Sequence, residues 1–193
     1  MTKNKILFFD TETTGLPKNW KAPVSDLNNW PRMVQLAWLL FDIEGNQVAA
    51  ADHIVLPIGY QIPPFVAKIH GITQARAERE GEDLKFILDE FLEALGQADT
   101  VVAHNVSFDV KIIAAELLRN HLPDEFEHKK SICTMMKSAK YCGIKNRFGF
   151  KWPTLAELHY HLFQEGFTNA HNAAKDIEVT ARCFWELRKH GVL

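Results

Sequence analysis

The sequence contains little of what stabilises a small secreted protein or places a protein in a membrane. Its three cysteines, Cys133, Cys142 and Cys183, show no C-x-x-C spacing, so we expect reduced packing residues and neither disulfides nor a zinc site. No stretch approaches the roughly 18 consecutive apolar residues that cross a bilayer. The apolar run Ile6–Phe9 before Asp10 is too short for a secretory signal. These absences predict a cytoplasmic protein without a membrane partner.

The sequence also lacks a strong excess of charge of either sign and any repeated or low-complexity segment. Its 193 residues carry a formal net charge of −2, with 47% hydrophobic and 24% charged residues. This charge argues against binding of duplex nucleic acid through a broadly basic surface. An enzyme that holds a strand end through metal ions does not need such a surface. The length and the absence of a linker predict a single domain over residues 1–193.

The most informative stretch present is Ile6–Gly15, where four apolar residues run directly into two carboxylates. A short apolar run bounded by turn residues is typical of a buried strand, in which side chains alternate between faces. Asp10 and Glu12 are therefore expected on one face near the core, where like charges repel and lose hydration. A divalent cation such as Mg²⁺ or Mn²⁺ would offset that cost. The simpler alternative is an acidic surface turn, so the interpretation depends on the rest of the chain.

Hydrophobic patterning predicts three strands followed by helices that alternate with two further strands. The expected strands cover residues 4–10, 33–43, 47–56, 100–103 and 131–134, with a hairpin turn at 44–46. The expected helices cover residues 63–70, 83–95, 106–120, 153–163 and 172–189, and loops cover 17–31 and 141–152. This order predicts an α/β protein with a sheet that is partly antiparallel and partly parallel.

The loop over residues 17–31 is long and contains Trp20 and Trp30. Long loops inside compact domains are often functional, and an indole ring can stack on a nucleic-acid base. The simpler interpretation, which we favour, is that both tryptophans pin the loop to the core. The sequence leaves the role of this loop open.

Two later helices each carry an aspartate at the edge of an apolar stripe. Asp109 lies within about 40° of Ile113 around the helix axis, and Asp176 has the same relative position in the last helix. A carboxylate there is uncommon without a partner, and no lysine or arginine is obviously placed to pair with either. A metal site shared with Asp10 and Glu12 would account for all four carboxylates.

His171 supplies the remaining chemical group. On a continuous helix it would lie about 140° from Asp176, so we expect His171 in the loop that enters the last helix, over the carboxylates. An imidazole exchanges protons near neutral pH, which suits a general base that activates water. A surface or capping histidine is the alternative, and the position just before Asp176 favours the base.

Three segments, FDTETTGL (9–16), HNVSFD (104–109) and HNAAKD (171–176), resemble the motifs of the DEDDh 3′→5′ exonuclease family. This family includes the proofreading epsilon subunit of bacterial DNA polymerase III, RNase T and oligoribonuclease. The segment HGIT (70–73) resembles a short element between the first two motifs. A sister branch has tyrosine four residues before the last aspartate, where this chain has Asn172, so the histidine branch is the match.

The resemblance implies a ribonuclease H-like fold, with a mixed five-stranded sheet flanked by helices and the first strand in the centre. It implies two divalent metal ions, Mg²⁺ or Mn²⁺, held by Asp10, Glu12, Asp109 and Asp176, with His171 as general base. It also implies substrate-binding residues near the terminal nucleotide, namely Thr11, Thr13, Thr14, Gly15, Leu16, His104 and Asn105. Gln35 and Lys175 depart from the family pattern and bear on substrate preference.

The function expected from this resemblance is metal-dependent 3′→5′ hydrolysis of single-stranded nucleic acid, with DNA favoured and 5′-mononucleotides released. The alternatives are an exonuclease of RNA or oligoribonucleotides and a non-catalytic nucleic-acid-binding module of the same fold. DNA versus RNA stays open because it depends on contacts to a single 2′-hydroxyl. The chain ends at Leu193 without a long tail, which favours a free-standing nuclease over a replicase subunit. A polymerase and a second copy of the chain both stay open as protein partners.

Overall fold

A mixed sheet forms the centre of the computed structural model, which describes residues 5–168 and 171–193. Its strands are β1 (Lys5–Thr13), β2 (Met33–Asp42), β3 (Gln47–Ile54), β4 (Thr100–Ala103) and β5 (Lys130–Cys133), in the order β3-β2-β1-β4-β5. The pairs β1–β2 and β2–β3 are antiparallel, whereas β1–β4 and β4–β5 are parallel. The predicted five-stranded mixed sheet with the first strand in its centre is confirmed.

Helices cover the sheet and connect its strands. They are α1 (Pro64–His70), α2 (Gln74–Glu80), α3 (Leu84–Gln97), α4 (Val106–Arg119), α5 (Thr134–Cys142), α6 (Leu155–Phe163) and α7 (Ala173–Lys189). A 3₁₀ turn spans Phe126–His128, and β6 (Lys145–Asn146) and β7 (Gly149–Phe150) form a small separate hairpin. Within the described ranges, no helix is long and apolar enough to cross a membrane.

Side-chain alternation along β1 divides its residues between two hydrophobic clusters. Leu7 and Phe9 pack with residues of α3 and α4, whereas Ile6 and Phe8 pack with residues of α7. The Phe8 ring meets the Phe184 ring edge to face, with 5.1 Å between the centroids. Because burying such side chains drives folding, β1 is held rigidly between helices on both faces.

The three cysteines fill space between packed elements. Cys133, Cys142 and Cys183 are buried and free, as predicted. Cys142 and Cys183 belong to a further cluster that α5, α6 and α7 form together. Their chemistry is that of small apolar side chains.

The first strand is longer than predicted. β1 does not stop at residue 10 but continues to Thr13, because residues 11–13 keep pairing with β2, with Thr11 opposite Leu36. The carboxylates therefore lie within the strand, where their positions are more rigid than at its end. Residue 4, which was predicted to begin this strand, lies outside the described residues. Helix α3 also runs two residues beyond its predicted end at residue 95, to Gln97.

Helices α2 and α5 were not predicted, and the prediction of a loop over residues 141–152 is wrong. That segment begins in the last turn of α5 and contains the β6–β7 hairpin. Helix α2 has the sequence QARAERE, whose only apolar residues are two alanines, so no hydrophobic stripe marks it. Helix α5 was hidden because its start at Thr134 was assigned to the preceding strand.

The loop between β1 and β2 is fastened to α4. Trp30 is buried, its indole N–H donates to the Pro23 carbonyl at 3.0 Å, and Arg119 donates to the Trp30 carbonyl at 2.8 Å. Trp20 is half exposed and lies against Phe108, with ring centroids 5.6 Å apart. The interpretation that the tryptophans pin the loop is confirmed for Trp30, while Trp20 keeps a face in solvent.

Candidate active site

Two carboxylates come from the second half of β1. Asp10 and Glu12 are partly buried and continue the face of Ile6 and Phe8, which α7 covers. Glu12 lies opposite Gln35 on β2. The central strand therefore points both carboxylates toward the beginning of α7.

The third carboxylate, Asp109, lies buried in the first turn of α4. Its Oδ1 accepts hydrogen bonds from the Thr11 backbone N–H at 3.1 Å and from the Thr11 hydroxyl at 2.8 Å. Helix α4 starts directly after β4, which runs parallel to β1 with Val102 opposite Phe8. By this register the last residue of β4, Ala103, is level with Phe9, so the turn that leads into α4 lies beside Asp10.

The fourth carboxylate, Asp176, lies in the first turn of α7 next to His171. Its Oδ2 accepts a hydrogen bond from the His171 backbone N–H at 3.0 Å. His171 has φ +66°, a conformation that non-glycine residues rarely adopt, and this turns the chain sharply into α7. Potential ligand atoms of Glu12, His171 and Asp176 lie within 4.8 Å of one another. His171 therefore lies in the loop that enters the last helix, as predicted.

Burial and mutual repulsion raise the pKa values of these carboxyl groups. Burial raises the pKa of Asp10 well above its usual range, and the other three carboxylates add to the shift. Burial, followed by the charges of Asp176 and Asp109, raises the pKa of Glu12 to about 8. Burial raises the pKa of Asp109 to about 7, against the lowering effect of its hydrogen bonds from Thr11. The pKa of Asp176 is also raised by burial. The four groups thus form one cluster of like charges, and His171 beside Asp176 acts against the rise.

The cluster fits a divalent metal ion. Asp176 Oδ1 is buried and has no hydrogen-bond partner among the described residues, which costs free energy unless something else binds it. Carboxylate oxygens are the donors that suit Mg²⁺ or Mn²⁺. The group within 4.8 Å does not include Asp10 or Asp109, although the charge of Asp109 acts on Glu12 and the charges of Glu12 and Asp176 act on Asp10.

The turn after β1 is fixed from within the chain. The Thr13 hydroxyl donates to the Gly15 carbonyl at 2.6 Å, and Thr14 exchanges hydrogen bonds with the backbone of Arg32. Gly15 has φ +150°, and no atom lies near the position that a Cβ would occupy. A side chain would therefore fit at this position, but the backbone angle favours glycine. Leu16 is exposed at the end of the turn. The turn therefore presents a rigid backbone and one apolar side chain beside Glu12.

His104 is held by the protein on both ring nitrogens. Nε2 lies 3.0 Å from the Pro153 carbonyl oxygen, and Nδ1 lies 3.0 Å from Thr134 Oγ1. Because a carbonyl only accepts, Nε2 carries the proton and Nδ1 accepts from the hydroxyl. Burial lowers the pKa of His104 to about 4, so the ring stays neutral. Its ring nitrogens are not available to a nucleotide; they fix the turn in which Asn105, with φ +86°, begins α4.

A groove of about 490 Å³ opens beside His171 between the end of α1 and the start of α7. It is lined by Lys68, Ile69, His70, Gly71, His171, Asn172, Ala174, Lys175 and Glu178. His70 is buried, and its Nδ1 accepts from the Ile72 N–H at 3.1 Å, so Nε2 carries the proton. This N–H is buried and has no partner in the described part of the chain. Burial and the nearby His171 lower the pKa of His70, which keeps it a neutral donor.

His70 is a functional candidate that the sequence analysis did not place in the site. The segment HGIT was noticed in the sequence, but it gives no sign that the His70 Nε2–H, which has no partner in the described part of the chain, lies beside His171. This role is visible only in the structure, where His70 and His171 line the same groove although they are distant in sequence.

Gln35 joins β2 to the beginning of α7. Its Oε1 accepts from the Ala173 N–H at 3.2 Å, and its Nε2 donates to Asp52 at 2.6 Å. Gln35 is buried opposite Glu12. It therefore fixes the first turn of the helix that carries Asp176. Lys175, the other departure from the family pattern, pairs with Glu178 at 3.0 Å at the groove.

Known proteins match this chain in sequence. The sequence profile of the family RNase_T, described as Exonuclease, matches residues 7–184. DNA polymerase III PolC-type of Streptococcus pneumoniae is 30% identical over 205 residues, which cover all of this chain and 12% of that protein. The 3′-5′ exonuclease DinG of Bacillus subtilis is 27% identical over 189 residues, which cover 97% of this chain and 18% of that protein. The chain thus spans less than a fifth of the length of these relatives.

Solved structures share the fold. E. coli exonuclease I in complex with a dA16 oligonucleotide matches with a TM-score of 0.73 and 20% identity, over 96% of this chain and 41% of that chain. The zinc-bound form of E. coli ExoI in a complex with single-stranded DNA matches with a TM-score of 0.74 and 21% identity, over 98% of this chain and 41% of that chain. At this level of identity the match establishes the ribonuclease H-like fold.

Proposed function

This chain belongs to the exonuclease family that matches residues 7–184, and on that premise we propose that it removes nucleotides stepwise from a free 3′ end. The proposed substrate is single-stranded nucleic acid, with DNA favoured, and the products are 5′-mononucleotides. The observation that carries the proposal is the convergence of Glu12, His171 and Asp176 within 4.8 Å. Residues 1–193 would act as one exonuclease domain.

Asp10, Glu12, Asp109 and Asp176 are the proposed ligands of two divalent metal ions, Mg²⁺ or Mn²⁺. When bound there, such ions would supply a polarised phosphodiester and a water molecule of lowered pKa. The chain contributes rigid positions for these carboxylates, because Thr11 holds Asp109 and the His171 N–H holds Asp176. The unpartnered Asp176 Oδ1 supports a metal ligand at this place.

His171 is proposed to accept the proton of the attacking water. It is exposed, so the accepted proton can pass on to solvent, and it lies beside Glu12 and Asp176. A positioned base of this kind contributes about 10²–10⁴-fold to a rate.

The surroundings of His171 suit a terminal nucleotide. The turn over residues 13–16 offers Leu16 and backbone groups to the terminal sugar. The His70 Nε2–H, unpartnered in the described structure, offers a hydrogen bond from the other side of His171. Recognition of the strand end would come from these fixed groups, with Asn105 at the start of α4.

Hydrolysis of labelled single strands tests the proposal directly. DNA and RNA strands with a free 3′-hydroxyl, with a 3′-phosphate and in circular form are each incubated with Mg²⁺, Mn²⁺ or EDTA. We expect shortening from the 3′ end and release of 5′-mononucleotides with Mg²⁺ or Mn²⁺, and intact strands with EDTA. The 3′-phosphorylated and circular strands should resist.

Asp10→Asn provides the inactive variant for this assay, and Asp89→Asn, an exposed carboxylate on α3, is its matched control. Cleavage of the circular strand at a rate comparable with the linear one would contradict an exonuclease. Full activity of Asp10→Asn would contradict the proposed site.

A further inference from the structure

The segment that contains the β6–β7 hairpin places three large aromatic side chains in solvent. Phe148 is 82% exposed, Phe150 47% and Trp152 57%. None of them belongs to a hydrophobic cluster of the described residues. Apolar surface of this size so close together is costly in water and marks an interaction site.

Backbone pairing gives this segment a defined face. Lys145 lies opposite Phe150, and the Lys151 N–H donates to the Ile144 carbonyl at 2.7 Å, so the pairing continues beyond the hairpin strands. Residues two apart in an extended segment share a face, as do residues directly opposite each other. Lys145, Phe150 and Trp152 therefore lie on one face. Lys151 points the other way, where it pairs with Glu157.

Two cations lie among these aromatic side chains. The Arg147 guanidinium lies 4.6 Å from the centre of the Phe148 ring, so the tip of the hairpin presents a charge and a ring together. Lys145 is exposed on the face of Phe150. In a chain with a net charge of −2, this local pattern of rings and cations is complementary to bases and phosphates.

The hairpin is tied to the candidate active site through Pro153. The Pro153 carbonyl accepts a hydrogen bond from His104 Nε2, and His104 directly follows β4 beside the central strand. Trp152 is therefore the residue directly before Pro153, which contacts the turn at the start of α4. Helix α4 carries Asp109. The aromatic face starts at the edge of the site and leads away from it.

We propose that this hairpin face binds the part of a single strand that lies on the 5′ side of the terminal nucleotide. Its members are Lys145, Arg147, Phe148, Phe150 and Trp152. Bases stack on the three exposed rings, and the two cations contact phosphates. The inference rests on the proposed function, because it takes the 3′ end to lie at the carboxylates. Any base can stack on an aromatic ring. The hairpin face should therefore favour longer strands over shorter ones, without a preference for base sequence.

Truncation of the rings tests this role with two substrates. Phe148→Ala, Phe150→Ala and Trp152→Ala are compared with wild type for hydrolysis of dA16 and of a dinucleotide, and for binding of dA16 in EDTA. Each hairpin variant should raise Kd and KM for dA16 by about 5- to 150-fold, as loss of one stacked base does. The kcat for dA16 and the hydrolysis of the dinucleotide should be unchanged. Phe86→Ala, an aromatic 53% exposed on α3, should behave as wild type.

Removal of the two cations tests the phosphate contacts. For a single strand each contact contributes about 0.7 to the slope of log K against log salt. The double variant Lys145→Ala, Arg147→Ala should therefore lower the slope for dA16 by about 1.4. Lys85→Ala, an exposed lysine on α3, should leave the slope unchanged.

Unchanged Kd and KM for dA16 in all three aromatic variants would overturn the inference and leave the face to a protein partner or to a second copy of the chain. An equal loss on the dinucleotide would also overturn it, because it would show damage to the site itself. Binding is measured apart from hydrolysis. An inactive wild type would therefore contradict the proposed function, while the binding comparison would still decide the role of the hairpin.

Discussion

Asp176 has one carboxylate oxygen that the protein satisfies and one that it does not. Oδ2 accepts from the His171 backbone, whereas Oδ1 is buried without a partner in the described structure. An unsatisfied buried acceptor typically costs about 1–3 kcal/mol. Proteins retain such a cost at functional sites, where stability and activity conflict. The same conflict applies to Asp10, whose pKa is raised by burial and by its charged neighbours.

His171 is the residue whose removal should affect chemistry most and folding least. Because the side chain is exposed and is the proposed base, His171→Ala should lower kcat by about 10²–10⁴-fold with an unchanged Tm. His121→Ala is the matched control, since His121 is also exposed and has φ +55°. Single-turnover hydrolysis and melting curves measure both effects. A kcat near wild type would exclude the base.

Gln35 should act as a positioning residue. Gln35→Leu removes the acceptor for the Ala173 N–H and the donor to Asp52, so the free energy of unfolding should fall by about 1–3 kcal/mol. The kcat should fall as well, because the first turn of α7 carries Asp176. Gln97→Leu, at the exposed end of α3, is the control. Equal stability and equal kcat in both variants would show that Gln35 has no such role.

At the scale of elements, the parts predicted from sequence are those with strong local signals. The apolar run of β1 and the stripes of α4 and α7 identified the elements that hold the four carboxylates. Helix α2 was missed because its short sequence carries few apolar residues, and α5 was missed because its first residue, Thr134, was assigned to the preceding strand. The internal hydrogen bonds of His104 join residues 30 and 49 positions apart, a relation that no local pattern contains.

The two tryptophans of the loop between β1 and β2 should differ in what their removal changes. Trp30 is buried, so Trp30→Ala should lower the free energy of unfolding by about 3–5 kcal/mol. Trp20 is half exposed beside Phe108, so Trp20→Ala should lose about 1–3 kcal/mol of affinity for a single strand with little loss of stability. Chemical denaturation and binding titrations measure these effects. A loss of stability without a loss of affinity in Trp20→Ala would show that both tryptophans only pin the loop.

At the scale of the whole molecule, the carboxylate cluster should dominate the pH dependence of stability without metal. The pKa of Glu12 rises from 4.5 to about 8 on folding. Between those values the folded protein keeps a proton that the unfolded chain has released, so stability is present at low pH and is lost as pH rises. Asp109, with its pKa raised to about 7, acts in the same direction.

The Tm of the metal-free protein should therefore be higher at pH 5 than at pH 8. Glu12→Gln removes one of the carboxyl groups that titrate in this window and should flatten the decline. Scanning calorimetry of the chelator-treated protein measures both. A Tm that rises over the same interval would show that the carboxyl groups are not held at raised pKa values.

Metal binding should reverse this instability by mass action. A ligand that binds only the folded state stabilises it by about 2.7 kcal/mol at a hundredfold excess over its Kd. The four carboxylates are brought together only by folding, since they come from β1, α4 and α7. Divalent metal should therefore stabilise the folded protein and be required for activity at the same residues.

Melting curves of wild type, Asp10→Asn and Asp176→Asn in EDTA and in Mn²⁺ test the metal site most directly, with Asp89→Asn as control. Mn²⁺ should raise the Tm of wild type and of the control by several degrees. In EDTA the two site variants should melt at or above wild type, because each loses one charge of the cluster. Their gain from Mn²⁺ should be smaller, and their hydrolysis of single strands should be lost. The same Mn²⁺-induced shift in all four proteins would show that these carboxylates do not bind the metal.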